Sequence, residues 1–247
     1  MENVFSQGIQ IPCYDTDVHQ LLKPVSFMNY AQEIANKHAE VLGFGFDDLQ
    51  ATHTVWVLSR MHIRFLQHPK WREKTLLETW HKGSDKLFYL RDFRMTDEQG
   101  NPLVLASTSW LIINALTRRI TRDLSLDESG SCKENALEHS CEKLRMPRDL
   151  VVEKVAEHNV AYSDVDMNGH VNNAMYPLWA MDAIDPDVSA KKPLKELKIN
   201  FNHEVLPGEK VLLYMCRKDD MDTVSFWVEG RMDGDDAKSA FIVELVF

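Results

Sequence analysis

The sequence predicts an α+β protein in which one unit, a helix packed on an antiparallel sheet, is made twice. Two observations carry this reading. The chain repeats internally, and each half shows a helical apolar pattern followed by several alternating strand patterns. The clearest repeat sets Met61-His-Ile-Arg-Phe-Leu-Gln-His-Pro-Lys-Trp-Arg-Glu-Lys-Thr-Leu-Leu77 against Leu197-Lys-Ile-Asn-Phe-Asn-His-Glu-Val-Leu-Pro-Gly-Glu-Lys-Val-Leu-Leu213 without a gap. Ile, Phe, Glu-Lys and Leu-Leu recur in register. Upstream, Pro24–Tyr30 aligns with His170–Tyr176, sharing a valine and a tyrosine and leading into a helix in both halves.

In the first half, Phe27, Ala31, Ile34, Ala35, Val41 and Leu42 fall roughly on one helical face, and Gly43 is a natural stop. The strand that follows alternates: Val55, Val57, Met61, Ile63 and Phe65 point one way, and Arg60, His62 and Arg64 the other. Further strands are expected over Thr75–His81, Leu87–Met95 and Leu103–Ile113, the last two separated by the turn Asp97–Pro102. The second half repeats the order. A strand near Val152–Val160 precedes a polar motif and a helix from about Asn172 to Ile184. Strands follow at Leu194–Asn202, Lys210–Arg217, Thr223–Arg231 and Ala240–Phe247, with a turn at Asp233–Asp236 before the last. Between the halves, Asp123–Asp149 is polar and aperiodic and reads as a surface linker in which Lys133–Leu144 could form a short helix.

Composition excludes several classes of function. The 247 residues are 44% hydrophobic, enough for ordinary cores. A net charge of −10 disfavours nonspecific attraction to nucleic acid or anionic membranes. No apolar run reaches the roughly 18 residues of a membrane span, and the N-terminus has no signal-peptide pattern, so a cytoplasmic protein is expected. Cys13, Cys132, Cys141 and Cys216 show no Cys-x-x-Cys spacing, so they read as free thiols. No metal site is expected. Neither is a Gly-x-Ser-x-Gly nucleophile elbow present.

The motif is Tyr162-Ser-Asp-Val-Asp-Met-Asn-Gly-His-Val-Asn-Asn173, which places Asp166, Asn168 and His170 at alternate positions before a helix. A helix entrance offers unpaired N–H groups and partial positive charge that can stabilise a developing oxyanion. Taken alone, the run could equally be an Asn-Gly turn with an Asn cap.

Together with Glu204 in Phe201-Asn-His-Glu204, this motif resembles the acyl-acyl-carrier-protein thioesterases. In the first half, the segments Trp56–Met61, Thr79-Trp80, Arg91-Asp92, Ala106–Trp110 and Leu116–Arg119 are similar to the same family. The resemblance covers nearly the whole chain. It implies two tandem hotdog domains, over 1–123 and 150–247 with a 124–149 linker, and catalysis in the second. Some relatives carry a cysteine directly after the glutamate. Here that position is Val205, so a covalent thioester is not expected, and Cys216 reads as a core thiol.

The resemblance implies hydrolysis by water, without a cofactor, of acyl-acyl carrier protein in fatty acid biosynthesis. Glu204 would be the general base, provided burial tunes it, while Asn168 holds the water and Asp166 positions Asn168 or His170. His170 would donate to the carbonyl oxygen or the leaving sulfur, helped by the N–H groups that follow it. In the first half, Gln20, Leu22, Pro24 and His68 align with the catalytic four and do not reproduce them. That half is expected to supply the acyl pocket, with Phe27, Val55, Val57, Met61 and Trp110 as candidate lining. The partner is acyl carrier protein, which is acidic, so docking is expected at Arg118, Arg119 and Arg122, or at Lys191, Lys192 and Lys195. A homodimer is compatible with this reading. A coenzyme A thioesterase and a non-catalytic acyl-binding module are the alternatives.

Overall fold

The computed structural model describes residues 4–121, 131–234 and 238–247. The chain forms two compact units, Met1–Cys141 and Glu142–Phe247. In the first, the elements are β1 (Phe5–Gln10), α1 (Pro24–Val41), α2 (Phe46–Ala51), β2 (Thr54–Phe65), β3 (Lys74–Asp85), β4 (Phe88–Thr96), β5 (Pro102–Asn114) and β6 (Ile120–Thr121). The second has β7 (Glu153–Asn159), α3 (Met175–Asp182), α4 (Pro186–Lys191), β8 (Glu196–Phe201), β9 (Lys210–Asp219), β10 (Val224–Met232) and β11 (Ser239–Val246). The sheet order is β1-β3-β4-β5-β2 in one unit and β7-β9-β10-β11-β8 in the other, antiparallel at each of these pairings. The two units therefore share one topology.

Helix α1 begins on Pro24, whose missing N–H costs nothing at a first turn. It buries Phe27, Met28, Ala31, Ile34, Ala35, His38 and Ala39 against its sheet. Gly43 ends it with φ +80°, while the Phe44 N–H reaches back to the Ala39 carbonyl at 3.0 Å. Val41, expected on the buried face, is exposed, and His38 is buried instead.

Strand β2 departs from the single alternating face expected of it. A bulge between Leu58 and Arg60 shifts its register against β5. Before the bulge, Trp56 packs on the cluster of Ala39, Phe44, Tyr89 and Ile112, so Val55 and Val57 point away from the helix. After it, Met61 stands opposite Thr108, in the row of Arg91, whose guanidinium reaches His38 on α1. One extra residue thus puts Met61 on the helix side and Val55 and Val57 on the other.

Lys133–Leu144 is not a helix. Its polar backbone groups are taken by groups outside the segment, which prevents a helical ladder from forming. Trp80 donates to the Glu134 carbonyl at 2.9 Å, and the Ala136 N–H donates to Asp92 at 2.8 Å. Asn200 holds the Glu142 carbonyl and the Leu144 N–H. Leu137 and Cys141 are buried, so the stretch from 131 onward packs rather than floats.

A polar pair lies inside the first unit. Arg91 donates to His38 Nδ1 at 2.9 Å and to Thr79 at 3.2 Å. Burial, then the Arg91 charge and that of His81, pushes the His38 pKa down to about 4. Burial also pushes Arg91 down to about 10. On the opposite face of β4, Asp92 meets Lys82 at 3.1 Å. The family-like Thr79-Trp80 and Arg91-Asp92 segments are thus buried structural contacts.

Candidate active site

The Asp166 motif sits in a loop whose shape is dictated by hydrogen bonds of its own. A short 3-10 turn, Tyr162–Asp164, leads into a bridge between Val165 and Val171. Between them, the Asp166 N–H donates to the His170 carbonyl at 2.9 Å, and the Asn168 N–H donates to the Asp166 carboxylate at 2.8 Å. Gly169 turns the chain at φ +78°, where a side chain would be strained. The Val171 N–H then donates to the Val205 carbonyl at 2.9 Å, which draws the residue before Val205 toward the loop. That residue is Glu204, and its carboxylate lies 3.3 Å from His170 Nδ1.

His170 and Glu204 are thus brought into direct contact, with side chains 39% and 35% exposed. The burial expected of Glu204 is only partial. Asp166 is half-buried and fixed in the turn, and Asn168 and Met167 are exposed at its tip. This arrangement presents a carboxylate, an imidazole and an amide around one exposed loop. Such a set can abstract a proton from water and donate to a developing oxyanion.

Most of the N–H groups at the helix entrance are already engaged. Helix α3 begins at Met175, because Asn172 forms a turn that takes the Ala174 N–H on its side chain at 2.9 Å and the Met175 N–H on its carbonyl at 2.9 Å. The Asn172 N–H is itself held by the Asp164 carbonyl at 2.8 Å. With Val171 also engaged, the N–H groups of 171, 172, 174 and 175 have acceptors, which leaves that of Asn173 beside the His170 ring as a donor for an oxyanion.

The same loop is built in the first unit from a different sequence. There the 3-10 turn is Cys13–Asp15 and the bridge joins Thr16 to Leu22. The Asp17 N–H donates to the Leu21 carbonyl at 2.9 Å, the His19 N–H to the Asp17 carboxylate at 2.8 Å, and the Leu22 N–H to the Pro69 carbonyl at 2.8 Å. Asp17, His19 and Leu21 therefore stand where Asp166, Asn168 and His170 stand. The upstream alignment read from the sequence, which used Gln20, Leu22 and Pro24, is out of step by three positions. Gln20, at φ 63°, is the counterpart of Gly169. His68 does occupy the place of Glu204.

Other residues singled out in the sequence are dispersed. Phe27 is fully buried and meets Phe65 edge-on at 6.2 Å, and Met61 is buried. Trp110 packs at the Tyr89 cluster and donates to Thr108 at 2.8 Å. Val55 and Val57 face away, as described above. Arg118 and Arg119 are exposed in the turn after β5, and Arg122 lies outside the described residues. Lys191 pairs with Asp187 at 3.5 Å, whereas Lys192 and Lys195 converge on the Asp222 carbonyl at 3.2 and 3.4 Å. Cys216 is buried on β9, and burial, then the charge of Asp149, raises its thiol pKa, which disfavours the thiolate.

Two helix-on-sheet units that each carry this loop define a tandem-repeat fold, and the second alone sets a histidine against a glutamate beside the loop. The chain matches the acyl-ACP thioesterase N-terminal domain over residues 2–125 and the acyl-ACP thioesterase C-terminal domain over residues 148–243, and it belongs to that family. Among relatives, it is 28% identical over 215 residues to a chloroplastic palmitoyl-acyl carrier protein thioesterase of Gossypium hirsutum, covering 81% of this chain and 52% of that protein. It is 26% identical over 242 residues to the chloroplastic oleoyl-acyl carrier protein thioesterase 2 of Arabidopsis thaliana, covering 90% and 62%. The chain thus spans between half and two thirds of the length of these relatives. In fold it is similar to an acyl-ACP thioesterase from Bacteroides thetaiotaomicron, with TM-score 0.87, 23% identity and 99% and 98% of the two chains covered. It is likewise similar to a 12:0-ACP thioesterase from Umbellularia californica, with TM-score 0.81, 19% identity and 99% and 97% covered. Both units are hotdog folds.

Proposed function

We propose that this protein hydrolyses the thioester of acyl-acyl carrier protein and releases free fatty acid. The observation that carries the reading is the contact of His170 with Glu204 at 3.3 Å, in a loop that carries Asp166 and Asn168. Glu204 takes a proton from a water held by Asn168, and the water oxygen bonds to the thioester carbon. His170, with its ring proton on Nε2, donates from there to the oxyanion, while its Nδ1 accepts from Glu204 once that carboxyl holds the water's proton. As the carbon–sulfur bond breaks, the electron pair leaves on sulfur, a good leaving group because ordinary thiols titrate near ~8.5, and the proton held by Glu204 passes to it through solvent, which restores the base. Asp166 acts by holding the turn.

The His170–Glu204 contact also favours a second reading, in which Glu204 orients the ring and His170 Nε2 takes the water proton. The two separate on substitution. Loss of the base should cost more than loss of its partner, so comparing Glu204→Gln with His170→Gln ranks them.

The acyl chain is assigned to the N-terminal unit, on its helix side near Phe27, Met61 and Trp110. Carrier docking is assigned to a basic cluster, and Lys192 with Lys195 is favoured because Lys191 is already matched by Asp187. A cytoplasmic location belongs to this reading; among the described residues no helix is long and apolar enough to cross a membrane. The decisive experiment measures thiol release from one acyl group on carrier protein and on coenzyme A. Preference for the carrier, with an apparent KM that rises with salt and with Lys192→Glu plus Lys195→Glu, is the expected result. Preference for the coenzyme A ester would overturn the carrier assignment, and acyl binding without thiol release would overturn catalysis.

A further inference from the structure

Tyr176 opens helix α3 and is buried among Trp179, Phe201 and Phe241. Its hydroxyl oxygen accepts the Val205 N–H at 3.2 Å. The carbonyl of the same Val205 accepts the Val171 N–H at 2.9 Å. Residue 205 is thus held from two sides, by the helix and by the loop, and Glu204 directly precedes it.

The first unit shows what changes when no such carboxylate is present. Phe27 takes the place of Tyr176: it meets Phe65 edge-on as Tyr176 meets Phe201, with centroids 6.2 and 5.7 Å apart and interplanar angles of 70° and 67°. Pro69 takes the place of Val205, and its carbonyl still accepts a loop N–H, from Leu22 at 2.8 Å. Proline has no N–H to offer. The hydroxyl and the N–H are therefore both present in one copy and both absent in the other, while the edge-on contact with the facing phenylalanine is kept. Ring burial does not require the hydroxyl, as Phe27 demonstrates.

Glu204 needs an anchor of this kind. Its side chain is 35% exposed, so packing alone does not immobilise it beside His170. Burial, and then the charges of Glu204 and Asp166, raise the Tyr176 pKa against the pull of the Val205 N–H, which keeps the phenol neutral. It is not a competing base.

We propose that Tyr176 is a positioning residue that fixes Glu204 against His170 by clamping the Val205 N–H. This rests on the hydrolase reading above. Displacements below an ångström at a catalytic group can cost on the order of 10–100-fold in rate. Tyr176→Phe copies the first unit and should keep the fold, lower kcat about 10-fold and leave KM within about 2-fold.

Three measurements test this. Amide exchange at Val205 should quicken by about 10-fold or more in Tyr176→Phe, while Val171 keeps its protection. In a Glu204→Gln background, Tyr176→Phe should change the residual kcat by less than about 2-fold, because the group it positions is gone. Val205→Pro, which copies Pro69, should remove any further effect of Tyr176→Phe. Unchanged Val205 exchange overturns the clamp whatever the activity, and an undiminished kcat loss in the Glu204→Gln background overturns its link to Glu204. Absence of thiol release by the unaltered protein would instead sink the hydrolase reading, and the catalytic consequence with it.

Discussion

The two units build the same loop with the same hydrogen bonds, and one of them alone carries the proposed chemistry. Around Asp17 the turn presents His19 and Leu21, and around Asp166 it presents Asn168 and His170, with His68 and Glu204 on the facing segments. The carboxylate of each aspartate accepts the N–H two residues on, at 2.8 Å in both. An aspartate kept where no catalytic set surrounds it is a turn-forming group. In the proposed mechanism the His170–Glu204 pair, present in one copy, distinguishes the reactive loop from the scaffold.

The comparison can be broken most severely at His170. His170→Asn should lower kcat by roughly 100-fold or more, because the oxyanion donor is lost, whereas Leu21→Asn should leave turnover near the starting value. Steady-state kinetics on an acyl thioester checks both. Equal losses at the two positions would mean that the first loop takes part in the chemistry.

The aspartate pair gives a subtler contrast. Asp17→Ala and Asp166→Ala should each destabilise the protein by about 1–2 kcal/mol through loss of a carboxylate-held turn. Asp166→Ala should in addition lower kcat. Thermal melting and turnover, measured on both variants, separate the shared structural role from the local catalytic one.

The cores differ as well. In the first unit Arg91 occupies the strand position that the buried Phe226 holds in the second, and it is partnered by a buried, neutral His38. Because burial lowers the His38 pKa from 6.5 to about 4, the unfolded chain binds this proton more readily. Its contribution is complete above about pH 6.5 and is lost as pH falls toward 4, by up to about 3 kcal/mol. Melting temperature should therefore fall more steeply between pH 7 and 5 in the unaltered protein than in His38→Gln.

The smallest effect is at the turn tips. Gln20 and Gly169 share a left-handed conformation, with φ 63° and 78°. Gln20→Gly should be neutral or stabilising, and Gly169→Ala should cost about 1 kcal/mol. Denaturant midpoints check the pair.

Much of this was legible in the sequence because periodicity and repetition survive translation into strands. The expected strand Leu103–Ile113 lies inside β5, and Thr223–Arg231 differs from β10 by one residue at each end. The gap-free Met61–Leu77 alignment also put His68 opposite Glu204 correctly. The loop register failed for a physical reason. Backbone hydrogen bonds, not side-chain identities, set the shape of the turn, and a shared tyrosine drew the alignment to Tyr30. In the structure Tyr30 donates to Asp15, as Trp179 does to Asp164. Tyr176 was hidden by that same slip. The β2 bulge and the extended 131–144 segment were not legible, since each depends on partners distant in the chain.

The central claim is that one facing segment supplies the base and its counterpart does not. Turnover of acyl-acyl carrier protein by Glu204→Gln and by His68→Gln, with folding checked by melting, tests it directly. The account predicts a loss of at least about 100-fold for Glu204→Gln and less than about 3-fold for His68→Gln. A folded Glu204→Gln protein that turns over at near-normal rate would contradict it.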